Sequence, residues 1–263
     1  MEDEKRFLVD VGLQNLPFPM TVTPQRDAES QSTVANISVK ARILREFEAR
    51  WIDKFIQILH QHRGFVGTHW LDKTIPEYAE VLHATNVTID CDYPIFLPKY
   101  TPITRQQCLV HYRCTYSTRS PLSGPHPVTS FKIEIPCITT YPIADAAQPG
   151  GLFGQISVVC VEVRSEHDVF AEDLVAMVDG HALAPVYSFL TEEDQIEIIK
   201  RIHSQKKTSV ILVDEVKADL ARSREITWAK VHCTNFGMLH SYSTVIQTEK
   251  SRAVPFSGCE DDI

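Results

Sequence analysis

The chain lacks any apolar run approaching the roughly 20 residues that a membrane-spanning helix requires, which argues against a helical membrane protein. It also lacks a C-x-x-C pair. Its seven cysteines, Cys91, Cys108, Cys114, Cys137, Cys160, Cys233 and Cys259, are odd in number and scattered. Most fall in apolar or alternating stretches, a pattern of buried, reduced thiols in a cytoplasmic protein and not of a zinc finger or disulfide framework. Concentrated positive charge is missing too. Lys and Arg total 26 against 34 Asp and Glu, a net charge of −8 with both signs mixed along the chain. Binding nucleic acid or an anionic membrane needs a concentrated basic face, so both are excluded as general partners. One local basic patch would still serve a small anionic ligand. No Walker loop, dinucleotide fingerprint or Ser-His-Asp order occurs. The start, "MEDEKRFLVDVG", is charged and then strand-like, unlike a signal peptide.

What is present is a globular composition, 43% hydrophobic and 23% charged over 263 residues, enough for one large domain or two small ones. The segment "LREFEARWIDKFIQILHQH" predicts an amphipathic helix, with Leu44, Phe47, Trp51, Phe55 and Leu59 on one face and Ile52 and Ile56 beside it. Around it, "STVANISVKA", "NVTIDCDYP" and "LVHYRCTYS" alternate as strands. A Pro-, Ser- and Gly-rich loop near Pro121 to Pro127 then resets the pattern. Beyond it come the strands "FKIEIP" and "FGQISVVCVEV", helices at Val169 to His181, Glu192 to His203 and Val213 to Arg222, and the strands "EITWAKVHC" and "SYSTVIQTE". Thr191 with Asp194 predicts a capping box on the second of these helices. Each half thus reads as two strands, a helical layer and two strands, with units at 1–124 and 125–263. The class is α+β, with antiparallel sheets and helices on one face. The uncovered sheet face predicts an oligomeric barrel.

Several stretches together resemble the GTP cyclohydrolase type IB family: "DVGLQNLPFPMTV" (Asp10 to Val22), "STVANISVKARI" (Ser32 to Ile43), "FIQILHQH" (Phe55 to His62), "FKIEIPCITTYP" (Phe131 to Pro142) and "NFGMLHSYS" (Asn235 to Ser243). The resemblance implies tandem tunnelling-fold (ββααββ-type) units, a homotetrameric barrel with sites at subunit interfaces, and a place in folate biosynthesis. It implies hydrolytic opening and rearrangement of GTP to dihydroneopterin triphosphate, with zinc or another divalent cation held by Cys, His and Glu. In this chain the family's "CPC" positions are Tyr141, Pro142 and Ile143, and the metal-binding His of "GAHNQRS" falls on Phe153 in "GLFGQIS". Gly151, Gln155 and Ser157 match that segment. The last ligand matches His240, and the "GTHMSRF" helix start corresponds to "EARWIDKF" without its His. One imidazole does not hold a catalytic zinc, which takes about three protein ligands. No cofactor is therefore assigned unless the family chemistry is retained on other residues, His111 and His232 among the candidates.

The candidate residues each carry a functional and a structural reading. His240 is a general acid/base or a hydrogen-bonded structural residue. Asp214 and Glu215, in "LVDEVK", look like the acidic pair that anchors a purine or pterin edge by two parallel N–H bonds; the alternative is acids favouring a helix N-terminus. Tyr141 and Phe153 stack on a planar base or pack a core. Lys206 and Lys207 contact a triphosphate or are solvated in a loop. Gln155 is a retained loop residue, and "GTH" at Gly67 to His69 reads as a chance echo in a loop beyond the helix. The expected function is binding of a purine or pterin-like nucleotide, with GTP ring opening or an altered reaction; the alternative is a ligand-binding or scaffolding relative without turnover.

Overall fold

The structure is a computed structural model that describes residues 8–23, 30–44, 51–64, 66–120, 127–165, 167–237, 239 and 241–251. Two compact units emerge: residues 1–95 with 113–132, and 96–112 with 133–263. The strands β3 (Asn86–Tyr100), β4 (Gln107–Arg119) and β5 (Val128–Thr140) run through both.

In the first unit, β1 (Leu8–Val22) and β2 (Gln31–Leu44) form an antiparallel hairpin, and the order continues β1-β2-β3-β4-β5. The alternation in β2 is physical: Ala35, Ile37, Val39, Ala41 and Ile43 are buried, while Asn36, Lys40 and Arg42 face water. The hairpin register slips between Leu13 and Leu16, where Asn15 adopts φ 53° and its N–H donates to Ser38 Oγ at 3.0 Å. Asn tolerates that left-handed conformation better than most residues, which suits a bulge. Gly12 has a different reason to be glycine. A Cβ there would sit 2.1 Å from the Val39 carbonyl oxygen.

Helix α1 (Trp51–Gln61) buries Phe55, Ile58 and Leu59. The expected apolar face is shifted: Ile52 is 49% exposed, Leu44 belongs to β2, and Phe47 lies outside the described residues. A second helix, α2 (Thr68–Val81), starts at the "GTH" segment that the sequence placed in a loop. It contains Pro76, whose missing N–H and steric demand disfavour a helix interior, so local propensity hid it. Tertiary contacts hold it instead: Trp70 Nε1 donates to the His62 carbonyl at 2.8 Å and Tyr78 Oη to that of Phe55 at 2.7 Å.

In the second unit the strand order is β3-β4-β5-β6-β8-β9, with β6 (Gly154–Ser165), β8 (Ile226–Phe236) and β9 (Ser243–Ser251) antiparallel and β7 (Ala184–Pro185) on β5. Its helices are α3 (Ala171–His181), α4 (Glu192–Ser204) and α5 (Ser209–Arg222). Val159, Val161 and Val163 of β6 and Val231 and Cys233 of β8 bury the same sheet face, and Leu174, Val178, Leu212 and Val216 supply the helical side. Asp194, the acid of the predicted capping box, is fully buried. It closes the box with Thr191 and also accepts from the Ile103 and Thr104 N–H groups at 2.9 and 3.0 Å. Where β3 ends, Lys99 Nζ lies 2.6 Å from Asp179 Oδ2 of α3, with only 10% and 17% of the two side chains exposed. Lys99 also lies over the rings of Tyr112 and Tyr187, and the Tyr112 hydroxyl finds no partner among the described residues.

Candidate functional site

The loop from Tyr141 to Phe153 is tied at its base, where the Tyr141 N–H donates to the Phe153 carbonyl at 3.0 Å. That closure brings the two aromatic rings together, stacked with centroids 5.0 Å apart and planes 22° from parallel. Tyr141 is only 7% exposed and packs with Ala144 and Leu152. Gly237 stands opposite, where a Cβ would come 3.7 Å from the tyrosine ring. His203 of α4 closes the far side, its Nδ1 2.6 Å from the Leu152 carbonyl oxygen. The geometry at Tyr141 is that of packing.

Immediately before Tyr141, Thr140 makes a reciprocal pair of bonds with Lys207. The Thr140 N–H donates to the Lys207 carbonyl and the Lys207 N–H to Thr140 Oγ1, each at 2.7 Å. The strand end therefore fixes the main chain of Lys207. Its ammonium reaches Glu215 Oε2, two turns into α5. The same oxygen lies 3.2 Å from Nδ1 of His181, at the end of α3, and Nε2 of that ring lies 2.6 Å from Asp219 Oδ2. Arg222 in turn meets Asp219 Oδ1 at 2.9 Å. Glu215 is held below the ordinary carboxylate range, first by the hydrogen bond from Lys207 and less by His181; Asp219 is lowered chiefly by its bond with His181. Asp214, beside Glu215, is exposed.

A buried polar chain runs alongside. Gln155, 4% exposed, donates to Thr139 Oγ1 at 3.3 Å; Thr139 meets Ser157 Oγ at 2.8 Å; Ser157 donates to Asn235 Oδ1 at 2.8 Å. Asn235 Nδ2 then reaches Ser209 Oγ, the first residue of α5, at 3.0 Å. Buried groups are stable there because each has a partner. Tyr141, Lys207, Glu215 and Gln155 thus gather around the end of β5 and the first turns of α5. His240 lies outside the described residues. The sequence reading missed His181, Thr140 and Asn235. A histidine in the last turn of α3 was the one visible signal, and a favourable helix dipole explains that position equally well.

The residues present do not fit the metal centre that the resemblance implies. The positions that the resemblance assigns to the Cys and His ligands hold the Tyr141–Phe153 stack, and among the described residues no group of three His, Cys, Asp or Glu is placed to hold an ion. The described cysteines are elsewhere, most of them buried, and burial pushes the Cys91 and Cys137 thiols up and that of Cys233 up to about 11. Such thiols resist forming the thiolate that a metal needs.

The fold is that of the tunnelling-fold proteins. Among solved structures it is similar to the uricase of Arthrobacter globiformis (TM-score 0.53, 12% identity, 98% of this chain and 96% of that one). It is also similar to a hyperthermostable mutant of the Bacillus sp. TB-90 urate oxidase (TM-score 0.58, 7% identity, 94% and 100%). At that identity the likeness concerns the fold alone. The sequence model of the type I GTP cyclohydrolase FolE2 family matches residues 2–245, and the chain belongs to that family. Its relatives include GTP cyclohydrolase FolE2 of Syntrophotalea carbinolica, 27% identical over 94% of this chain and 92% of that protein. The protein of the same name from Citrifermentans bemidjiense is 26% identical over 92% and 89%.

Proposed function

We propose that the chain is a GTP cyclohydrolase-type protein that binds GTP, or a closely related purine or pterin nucleotide, around the start of α5. Glu215 accepts the ring-edge N–H groups, with Asp214 beside it, and Lys207 meets the triphosphate. The observation that carries this is the Lys207–Glu215 pair, about one-third exposed and fixed through Thr140 to the loop that begins at Tyr141, in a chain matched to the family almost throughout. A carboxylate held ionised is the right acceptor for two parallel N–H donors, and an ammonium is a point charge suited to phosphate. Tyr141 and Phe153 form a wall of the site, and Gln155 stiffens it through Thr139. The reaction is opening of the purine ring towards dihydroneopterin triphosphate, with His240 as the general acid/base. The described residues offer no set of ligands for a catalytic cation. Two tunnelling-fold units, 1–124 and 125–263, assemble into a homotetramer with the ligand at a subunit interface, in the cytoplasm. Among the described residues the six cysteines are all free, as suits a reducing compartment.

The test is to incubate metal-analysed protein with GTP, with and without zinc or manganese, and to follow fluorescent pterin after oxidation. Pterin above a protein-free control, lost in His240→Ala with folding intact, supports the reading. Well-folded protein that forms no pterin under any condition and binds no GTP overturns it.

A further inference from the structure

The contacts at Glu215 are asymmetric. Lys207 and His181 both approach Oε2, while Oε1 takes no protein partner among the described residues. A ring edge presenting two parallel N–H groups needs both oxygens of the carboxylate, each with a free lone pair. One of the two existing contacts on Oε2 must therefore yield when such a ring binds. His181 is held at both nitrogens, with Asp219 behind it and Arg222 behind Asp219. Among the described residues Lys207 Nζ has only Glu215, at the end of a flexible stem whose main chain is pinned by Thr140. Both side chains of that ion pair are about one-third exposed, and exposed pairs of this kind are weak and exchange readily.

We propose that Lys207 is an exchangeable counter-ion. It sits on Glu215 until a polyphosphate arrives, then swings about its fixed main chain to the ligand's phosphates and frees Oε2 for the second ring N–H. Ring binding and phosphate binding are thereby coupled, and the site prefers a nucleoside triphosphate over the bare nucleoside. A nucleoside must displace Lys207 and offers it nothing in return. A triphosphate supplies the replacement anion. His181 stays in place and keeps Glu215 oriented through the exchange. This inference rests on the reading of Glu215 as the ring anchor.

The experiment measures the binding of GTP and of guanosine by calorimetry to the full chain at fixed salt. It compares wild type, Lys207→Met, Lys207→Gln and Glu215→Gln, each checked for folding and assembly size. Exchange predicts opposite effects in the Lys207 variants: guanosine binds several-fold more tightly and GTP about tenfold more weakly, with a shallower salt dependence for GTP. Lys207 variants that weaken both ligands alike, or change neither, overturn the exchange while leaving the anchor intact. Glu215→Gln that binds both ligands as wild type does overturns the anchor itself. A folded wild-type protein that binds neither ligand overturns both.

Discussion

Replacing Lys99 by Met removes the cation from a carboxylate that the second unit has already taken largely out of water. Asp179 shows what is at stake: burial pushes its carboxyl up, and Lys99 opposes that with its charge at 2.6 Å. Without Lys99 the burial effect stands alone. Breaking a buried pair from one side costs about 3–5 kcal/mol. With 17% of the aspartate side chain still exposed, the low end, about 3 kcal/mol, is the reasoned value at neutral pH. Loss of the lysine over the Tyr112 and Tyr187 rings adds roughly 0.5–1 kcal/mol. The sign with pH follows from the direction of the shift. A carboxyl raised in the folded state penalises folding once pH exceeds its unfolded value, and increasingly up to its folded one. The deficit of Lys99→Met should therefore shrink as pH falls towards the range where Asp179 takes a proton. The double variant Lys99→Met, Asp179→Leu should lie within about 1 kcal/mol of wild type, because an apolar pair of similar volume carries no desolvation cost. Urea unfolding of all four species at fixed chain concentration, at neutral and mildly acidic pH, completes the cycle. A double variant as unstable as the sum of the singles, or a single-variant deficit that does not change with pH, would refute this reasoning.

Gly12→Ala should lower the melting temperature clearly and cost toward the upper end of about 1–3 kcal/mol, since its Cβ would meet the rigid Val39 carbonyl; a neutral result would show that β1 slides freely on β2. In Asp194, burial alone would raise the carboxyl, but bonds from Thr104, Thr191 and Ile103 hold it well below the ordinary carboxylate range. Its stabilisation is thus present above its unfolded value near 3.8 and is lost as pH falls below that. Asp194→Asn should be less stable than wild type at neutral pH, with a gap that narrows in acid unfolding titrations. Asn235→Leu removes the donor to the buried Ser209 hydroxyl and one of the two partners of Ser157, which keeps Thr139, and should cost about 1–3 kcal/mol by denaturant unfolding; an unchanged stability would show that the chain of side-chain bonds contributes nothing there.

Much of the architecture is legible because it is local. The alternation of β2 and β8 and the Thr191–Asp194 box are written in consecutive residues, and the structure follows them. Helix α2 is not legible, because Pro76 argues against it and its support comes from Phe55 of α1 and from His62 just past the end of that helix. The site divides the same way. Glu215 and Lys207 stand out by charge and position, but their pairing depends on Thr140, 67 residues away, gripping the lysine main chain. His181 meets Asp219 across 38 residues of chain, a distance at which no spacing rule operates. Tyr141 and Phe153 were recognisable as bulky residues at the matched metal positions. That they lie face to face required the closure of their loop.

The stack of Tyr141 on Phe153 also makes the two positions depend on each other. Changing Tyr141 to Cys alone would remove half of a packed pair and gain a single thiol; changing Phe153 to His alone would place an imidazole against an aromatic face with no second ligand beside it. Each step on its own loses packing before any affinity for metal appears. The two positions are therefore coupled: only the paired change Tyr141→Cys, Phe153→His brings a thiol and an imidazole together in the place the stack now fills.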